Sequence, residues 1–459
     1  MKYDNNAALA VSSIFINRFD RQMKAFVRTY GCQQNVSESE KISGMLLECG
    51  YIICDDVDEA DFIIFNTCAV RENAENRAFS NISQLKKLKQ KNPDLILVLA
   101  GCMVQQKSAA KLIGEKYKFV DIALGTAAIN RLPQILLEFL MNRRQIIDIE
   151  QDNSIVENAP KMRYNALKAY VPIMQGCDNF CTYCIVPHVK GREVSRKSTE
   201  ILAEVRDLIS NGVREITLLG QNVNSYGKNL EENVSFAEIL RKINEIDGDF
   251  IVRFMTSHPK DLSDELLETI ADCEKLARHI HLPFQSGSNE ILSKMNRGYS
   301  TAKYLKIIEK ARELIPNVQF TSDVIVGFPN ESYENFCGTI ELIKTVKFQS
   351  LFTFLYSKRE GTKAAEMTDL TAESDKKIWF KELLETQDKI GEEILHSQIG
   401  KEFRALIEGK AKSAGHLTAR TSENFVVDVK GRENLVGEFR RVKIFGATNR
   451  LLKGEIINE

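Results

Sequence analysis

The 459-residue chain lacks any apolar run approaching the ~18 residues a membrane span needs. No secretory leader is expected either. The one short apolar patch near the N-terminus, Ala7 to Ile16, follows Asp4, and no basic region precedes it. Residues 1–22 therefore read as a poorly ordered N-terminal extension, the compartment is expected to be cytoplasmic, and no membrane partner is expected. Positive charge is not in excess. Lys and Arg number 62 against 63 Asp and Glu, a formal net charge of −1. No global basic field advertises nucleic acid, so any RNA contact must come from a local surface. Low-complexity tracts are also absent. Apolar residues at 43% and charged residues at 27% fit a soluble globular protein, and this length predicts two to four domains. Ten cysteines are present. In a reducing compartment, patterned cysteines point to metal binding or catalysis and not to disulfides.

Three regions differ in pattern. From residue 23 to 150, the apolar runs Ala25–Tyr30, Phe62–Asn66 and Leu95–Ala100 alternate with helical stretches, as in βα units on a parallel sheet. Residues 151–165 are polar and aperiodic, the composition of a linker. From 166 to 395, six strand candidates alternate with helix-like stretches: Tyr170–Met174, Glu215–Leu219, Ile251–Met255, His279–Pro283, Gln319–Val326 and Leu351–Tyr356. Six units suit a partial, open α/β barrel, whose chemistry sits at the C-terminal strand ends. From 396 to 459, short β-rich segments (Phe403–Glu408, Phe425–Val429, Arg440–Ile444 and Leu451–Ile457) fit a small barrel of OB-like size. Between Gly400 and Glu459, twelve Lys/Arg face eight Asp/Glu. That modest excess fits an RNA-facing surface or an ordinary solvated face.

Cys177, Cys181 and Cys184 stand in a CxxxCxxC spacing directly after the strand candidate Tyr170–Met174. A loop of that spacing can wrap three thiolates around one face of a cubane. A 4Fe–4S cluster usually takes four cysteines, so one iron stays open for an amino acid-like ligand. A zinc site completed by a distant fourth ligand is the competing reading. Tyr183, between the last two cysteines, either packs on a nucleoside base or fills space.

This triplet on the first of six βα units resembles the radical S-adenosylmethionine superfamily. The resemblance implies that the open iron binds the methionine part of S-adenosylmethionine, which is cleaved to a 5′-deoxyadenosyl radical. Further matches follow in order at strand ends. They imply cofactor-binding roles for Tyr183, Gly220, Gln221, Asn222, Ser257, His258, Gln285, Ser286, Asp323, Gly327 and Tyr356.

Cys32, Cys68 and Cys102 close the first three strand candidates, 36 and 34 residues apart, one βα unit each. Strand ends of a parallel sheet share one edge, so three thiolates can converge there. Three buried structural cysteines are the competing reading, the one that suits Cys49, Cys54, Cys273 and Cys337. Two such sets in one chain resemble the methylthiotransferases. The resemblance spans residues 23 to 459: an N-terminal methylthiotransferase domain (23–150), a radical core (166–395) and a TRAM domain (396–459) of a kind linked to RNA binding. Thr29–Asn35 with Ser39-Glu40, Asn66–Cys68 with Arg71-Glu72, Gly101–Met103 and Gly191–Arg196 look most like the branch acting on isopentenyladenosine in tRNA. Gln34, Lys197 and Asn330 depart from that pattern, and none removes a cysteine of either set.

The resemblance implies two 4Fe–4S clusters, with S-adenosylmethionine as methyl donor and radical source. The implied reaction replaces C2–H of N6-isopentenyladenosine, at tRNA position 37 in the anticodon stem-loop, with a methylthio group. That C–H bond has no acidic proton and no leaving group, so a cofactor must carry the hard step. A flavodoxin or ferredoxin type reductant and a monomeric chain are expected. Arg192 and Arg196 are candidates for phosphate contact, or for salt bridges with carboxylates such as Glu193. Sister branches act on threonylcarbamoyladenosine in tRNA or on an aspartate of a small-subunit ribosomal protein. A non-catalytic iron–sulfur RNA-binding or redox-sensing protein is the alternative from a different class.

Overall fold

The computed structural model describes residues 3, 5–18, 20–69 and 72–457. The N-terminal apolar runs form a six-stranded parallel sheet. Its strands are β1 (Met23–Tyr30), β2 (Tyr51–Ile53), β3 (Phe62–Thr67), β4 (Ile96–Gly101), β5 (Ile122–Leu124) and β6 (Ile146–Asp148), in the order β2-β1-β3-β4-β5-β6. Every residue of β3 and β4 is buried. Helices cover both faces of such strands, so they read as continuous apolar runs. β2, β5 and β6 are only three residues long, too short to impose a pattern, and the sequence does not announce them.

The N-terminal stretch corrects an expectation. It is not irregular but holds a helix, α1 (Asn6–Arg18). Ala8, Val11 and Phe15, spaced by three and four, lie on one face. They are buried with Met45, Tyr51, Leu132 and Phe139 in the core on one side of the sheet. Part of the apolar patch Ala7 to Ile16 is thus the buried stripe of a helix, while Leu9 and Ile16 face solvent. Residues 151–165, expected as a linker, contain no helix or strand, yet they lie close against α2 (Gln33–Glu48). A Cβ on Gly44 would meet the Pro160 backbone at 2.4 Å, and Arg163 pairs with the buried Glu40 at 3.1 Å.

The chain divides into two compact units. The first runs to Tyr164 and also takes in Met174–Asp178 and Cys184–Arg196; the second holds Asn165–Ile173, Asn179–Tyr183 and Lys197–Glu459. In the first unit a two-residue antiparallel ribbon pairs Met174–Gln175 with Val194–Ser195. In the second, six strands form two three-stranded parallel sheets. Lys168–Pro172, Glu215–Leu219 and Ile251–Phe254 make one; His279–His281, Gln319–Val326 and Ser350–Leu355 make the other. An isolated parallel bridge pairs Val252 of the first sheet's edge strand with Leu276, three residues before the second sheet's edge strand begins. This is the expected partial barrel of six βα units.

The C-terminal segment closes into a five-stranded barrel. Its strand His416–Thr421 is the one without a sequence signal, because of its inward residues Leu417, Ala419 and Thr421 only the first is large and apolar. Arg253 ties this barrel to the parallel strands within the second unit. Its Nε donates to Glu215 Oε2 at 2.8 Å, and its Nη2 and Nη1 donate to the carbonyls of Thr421 (2.8 Å) and Ser422 (3.2 Å). No described helix is long and apolar enough to cross a membrane.

Candidate active site

The parallel register aligns Tyr30 of β1 with Thr67 of β3, and Thr67 with Gly101 of β4. Cys32, Cys68 and Cys102 follow one or two residues later, so they share one sheet edge. Close approach there depends on Gly31 and Gly101. A Cβ on Gly31 would meet Cys68 Cβ at 2.8 Å, and Gly101 takes φ +99° with Thr67 O only 2.4 Å from a built Cβ. An amide frame holds the edge. Asn35 Oδ1 accepts from the Cys32 backbone N–H at 3.2 Å and contacts Cys32 Sγ at 3.4 Å. Asn66 Nδ2 donates to Asn35 O (2.9 Å) and Ser39 Oγ (3.1 Å). These partners explain the Asn35, Ser39 and Asn66 of the sequence pattern. Arg71, part of the same pattern, lies outside the described residues.

Two of the three thiols, Cys32 and Cys102, are electrostatically distinct. A hydrogen bond with Cys68 holds the Cys32 thiol down to about 6, against the opposing effect of burial. Burial pushes Cys102 up to about 12. Lys190 partly counters that rise, and its ammonium pairs with Glu38. Burial opposes the charge on Lys190, but Cys102, Glu38 and Cys32 offset it and keep the ammonium above its ordinary value. Lys190 ends the helix Val186–Lys190 that follows Cys184. Ile185 and Val189 share a buried cluster with Cys102 and Ala69, and Thr126 Oγ1 donates to Val189 O at 2.7 Å. Neither Lys190 nor Glu38 is foreseen from sequence. Their partners lie over 150 positions apart, and no local pattern marks either.

Among the described residues, no three His, Cys, Asp or Glu side chains are grouped around one metal-ion position. The donor set at the first sheet's edge is thiolates with no imidazole, which is what a polynuclear iron–sulfur cluster uses, each thiolate on its own iron.

In the second unit the sequence-expected residues fall at C-terminal strand ends. Thr256 Oγ1 donates to Gly220 O at 2.5 Å, joining the loops after the second and third strands. Gln285 (φ +68°) receives its bridge from the next strand through Asp323 O and Ile325 N. Ser286 Oγ accepts from Ser288 N, and His281 Nε2 lies 3.4 Å from Asp323 Oδ1. Gly327 takes φ +75°. Asn330, a departure from the family pattern, takes φ +59°, a region that Asn tolerates better than most residues.

Five of these residues carry a buried polar atom without a hydrogen-bond partner: Gln221 Oε1, Asn222 Oδ1, Ser257 Oγ, His258 Nε2 and Tyr356 OH. Buried polar atoms are rarely left unpaired, so this concentration fits a polar, nucleoside-like ligand. Burial, reinforced by Arg297 and Lys260, pushes the His258 imidazole down to about 2, so it is neutral. Its Nδ1 accepts from Lys260 N at 3.1 Å; hence Nε2 carries the proton and is a donor. Tyr183, within the second unit, packs against the cluster of Ile291, Met295, Phe328 and Ala364.

Cys177 and Cys184 belong to the first unit and Cys181 to the second. Cys177 and Cys181 are buried and Cys184 is half-buried. Arg192 is exposed but pairs with Asp178 at 2.6 Å. Arg196 is buried in a fork with Glu157, with contacts of 2.6 to 3.1 Å. Both arginines thus take the salt-bridge alternative, with Asp178 and Glu157 as partners.

Comparison with known proteins agrees with this architecture. Residues 171–343 match the radical SAM superfamily, 24–125 match uncharacterized protein family UPF0004, and 396–457 match the TRAM domain. A relative from Clostridium botulinum is 50% identical over 434 residues, covering 94% of this chain and 96% of its own. One from Thermoanaerobacter pseudethanolicus is 48% identical over 433 residues, covering 94% and 92%. Both are named tRNA-2-methylthio-N(6)-dimethylallyladenosine synthase. The fold is similar to that of OxsB, a cobalamin-dependent S-adenosylmethionine radical enzyme (TM-score 0.52, 14% identity, 80% of this chain and 56% of that one). It is also similar to TsrM, a radical S-adenosylmethionine methyltransferase from Kitasatospora setae (TM-score 0.52, 12% identity, 75% and 77%). With three matched domains in order and near-half identity over almost its whole length, the chain belongs to the radical S-adenosylmethionine tRNA methylthiotransferase family.

Proposed function

We propose that this chain converts N6-isopentenyladenosine at tRNA position 37 into its 2-methylthio derivative, using S-adenosylmethionine and two 4Fe–4S clusters. One packing relation carries the two-cluster reading: Ile185, adjacent to Cys184, shares a buried cluster with Cys102. Cys184 is thus next in sequence to a residue that packs with a member of the other cysteine set, within the first unit. Cys177, Cys181 and Cys184 would hold the radical-forming cluster, and Cys32, Cys68 and Cys102 the auxiliary one. When bound, these clusters and S-adenosylmethionine supply the radical, sulfur and methyl chemistry that side chains cannot. The protein's residues bind and orient. Gln221, Asn222, Ser257, His258 and Tyr356 offer their unpaired atoms to the nucleoside, with Gly220, Gln285, Ser286, Asp323 and Gly327 shaping the loops around it. The reacting base lies in a single-stranded loop, where unstacking is inexpensive. A flavodoxin or ferredoxin type donor supplies electrons to a monomeric enzyme.

The test is anaerobic incubation with S-adenosylmethionine, sulfide, a reductant and tRNA carrying isopentenyladenosine, followed by nucleoside mass spectrometry. A methylthio increment on that nucleoside is expected. An increment only on threonylcarbamoyladenosine, or only on a ribosomal-protein aspartate, would overturn the branch. Absence of 5′-deoxyadenosine would overturn the chemistry.

Two substitutions probe the binding roles. His258→Phe removes the Nε2 donor while keeping an aromatic ring. It is expected to weaken S-adenosylmethionine binding about tenfold, the effect of one hydrogen bond of ~1.4 kcal/mol. Unchanged affinity by calorimetry would remove His258 from the site. Arg192→Ala is expected to weaken tRNA binding and flatten its log–log salt dependence by about one unit. Arg192 is two-thirds exposed, with a side-chain exposure of 68%, so exchanging Asp178 for a phosphate needs little desolvation. An unchanged slope across a salt series would count against it. Arg196 is a weaker candidate, since a phosphate would have to displace Glu157 from a buried fork.

A further inference from the structure

Arg297 is a buried cation with no acid beside it. Only 5% of the residue is exposed, and among the described residues no carboxylate pairs with it. Its fork is filled by neutral oxygens and one sulfur. Nη2 donates to Pro283 O at 2.7 Å, Nη1 to Tyr183 OH and to Cys181 Sγ, each at 3.4 Å, and Nε to Tyr299 OH at 3.4 Å. Tyr299 OH in turn donates to Phe284 O at 2.7 Å, which holds the phenol in place. A buried charge without a counter-charge costs several kcal/mol. Of the atoms Arg297 touches, Cys181 Sγ is the one that becomes anionic when it ligates a metal.

We propose that Arg297 acts through Cys181 as a positioning residue that sets the reduction potential of the radical-forming cluster. The inference rests on the reading that Cys181 is a ligand of that cluster. Reduction by one electron adds negative charge to the cluster and its thiolates. A guanidinium donating to a ligand sulfur stabilises the more negative, reduced form and raises the potential, since hydrogen bonds to sulfur and net charge both tune it. Arginine suits this better than lysine, because its planar fork holds Pro283 O and the sulfur at once.

The experiment uses the full chain carrying Cys32→Ala, Cys68→Ala and Cys102→Ala, so that one cluster remains, reconstituted anaerobically with iron and sulfide. Redox titration followed by electron paramagnetic resonance reads the midpoint potential in this background and with Arg297→Gln, Arg297→Lys or Tyr299→Phe added. Arg297→Gln is expected to make reduction about tenfold less favourable, a downward shift of about 59 mV for one electron. Arg297→Lys should fall between, and Tyr299→Phe, which keeps the guanidinium but frees its Nε, should shift the same way by less. If Arg297→Gln does not fold, the other two carry the same test. Equal potentials in all folded variants would overturn the proposal. So would weaker S-adenosylmethionine binding at an unchanged potential, which would make Arg297 a ligand-binding residue. No cluster signal in the background protein, or an undiminished one after Cys181→Ala, would instead overturn the reading of Cys181 as a ligand.

Discussion

A variant with Cys32, Cys68 and Cys102 all changed to Ala is expected to hold about four irons per chain after anaerobic reconstitution, against about eight for the unaltered protein, at four irons per cubane. It should still cleave S-adenosylmethionine to 5′-deoxyadenosine, because Cys177, Cys181 and Cys184 are untouched. It should form no methylthio product, a loss limited only by detection. The geometry supports the separation of the two effects. The three altered residues lie at the edge of one sheet, and the unpaired atoms of Gln221, Ser257 and His258 belong to the other unit. The fold should survive, since thiol-to-methyl changes remove little volume. Equal iron in both proteins would refute the second site. A loss of both clusters together would refute their independence.

Lys190→Met is the second variant expected to have a large effect. Lys190 and Glu38 are 9% and 15% exposed at the side chain. Removing the ammonium leaves the Glu38 carboxylate buried, with Oε2 already unpartnered. Breaking one side of a buried pair costs on the order of 3–5 kcal/mol. The same change removes the cation that eases deprotonation of Cys102, so the auxiliary iron content should fall as well. A Lys190→Met, Glu38→Gln double variant should recover much of the stability, because no bare charge remains, but not the iron content. Denaturant midpoints and iron counts read the two effects separately. If the single variant matched the parent in both, Lys190 would be a surface lysine in all but burial.

Cysteine spacing made both candidate sites legible without coordinates. CxxxCxxC is a local loop property, and the 36- and 34-residue intervals follow from one βα unit per cysteine. The strand-end positions of Gln221, Ser257 and Gln285 were legible for the same reason, since apolar runs mark where a strand stops. α1 was misread because a short apolar patch near a terminus resembles a frayed end until its partners, Met45 and Leu132, are in view. The strand His416–Thr421 was missed because two of its three inward residues, Ala419 and Thr421, are small or polar and make no apolar run.

Sequence alone therefore determined the cysteine sets, the order of the three domains and the class of chemistry, since each is encoded in residues close together along the chain. Tertiary structure alone decided what surrounds the sulfur atoms. Lys190 reaches Glu38 across 152 positions and Arg297 reaches Cys181 across 116. It also decided that Arg196 is spent on Glu157 and not left facing solvent. A charged side chain looks the same in a sequence whether it is solvated, paired or buried against a sulfur. The difference is one of desolvation and contact, and only the folded arrangement sets those.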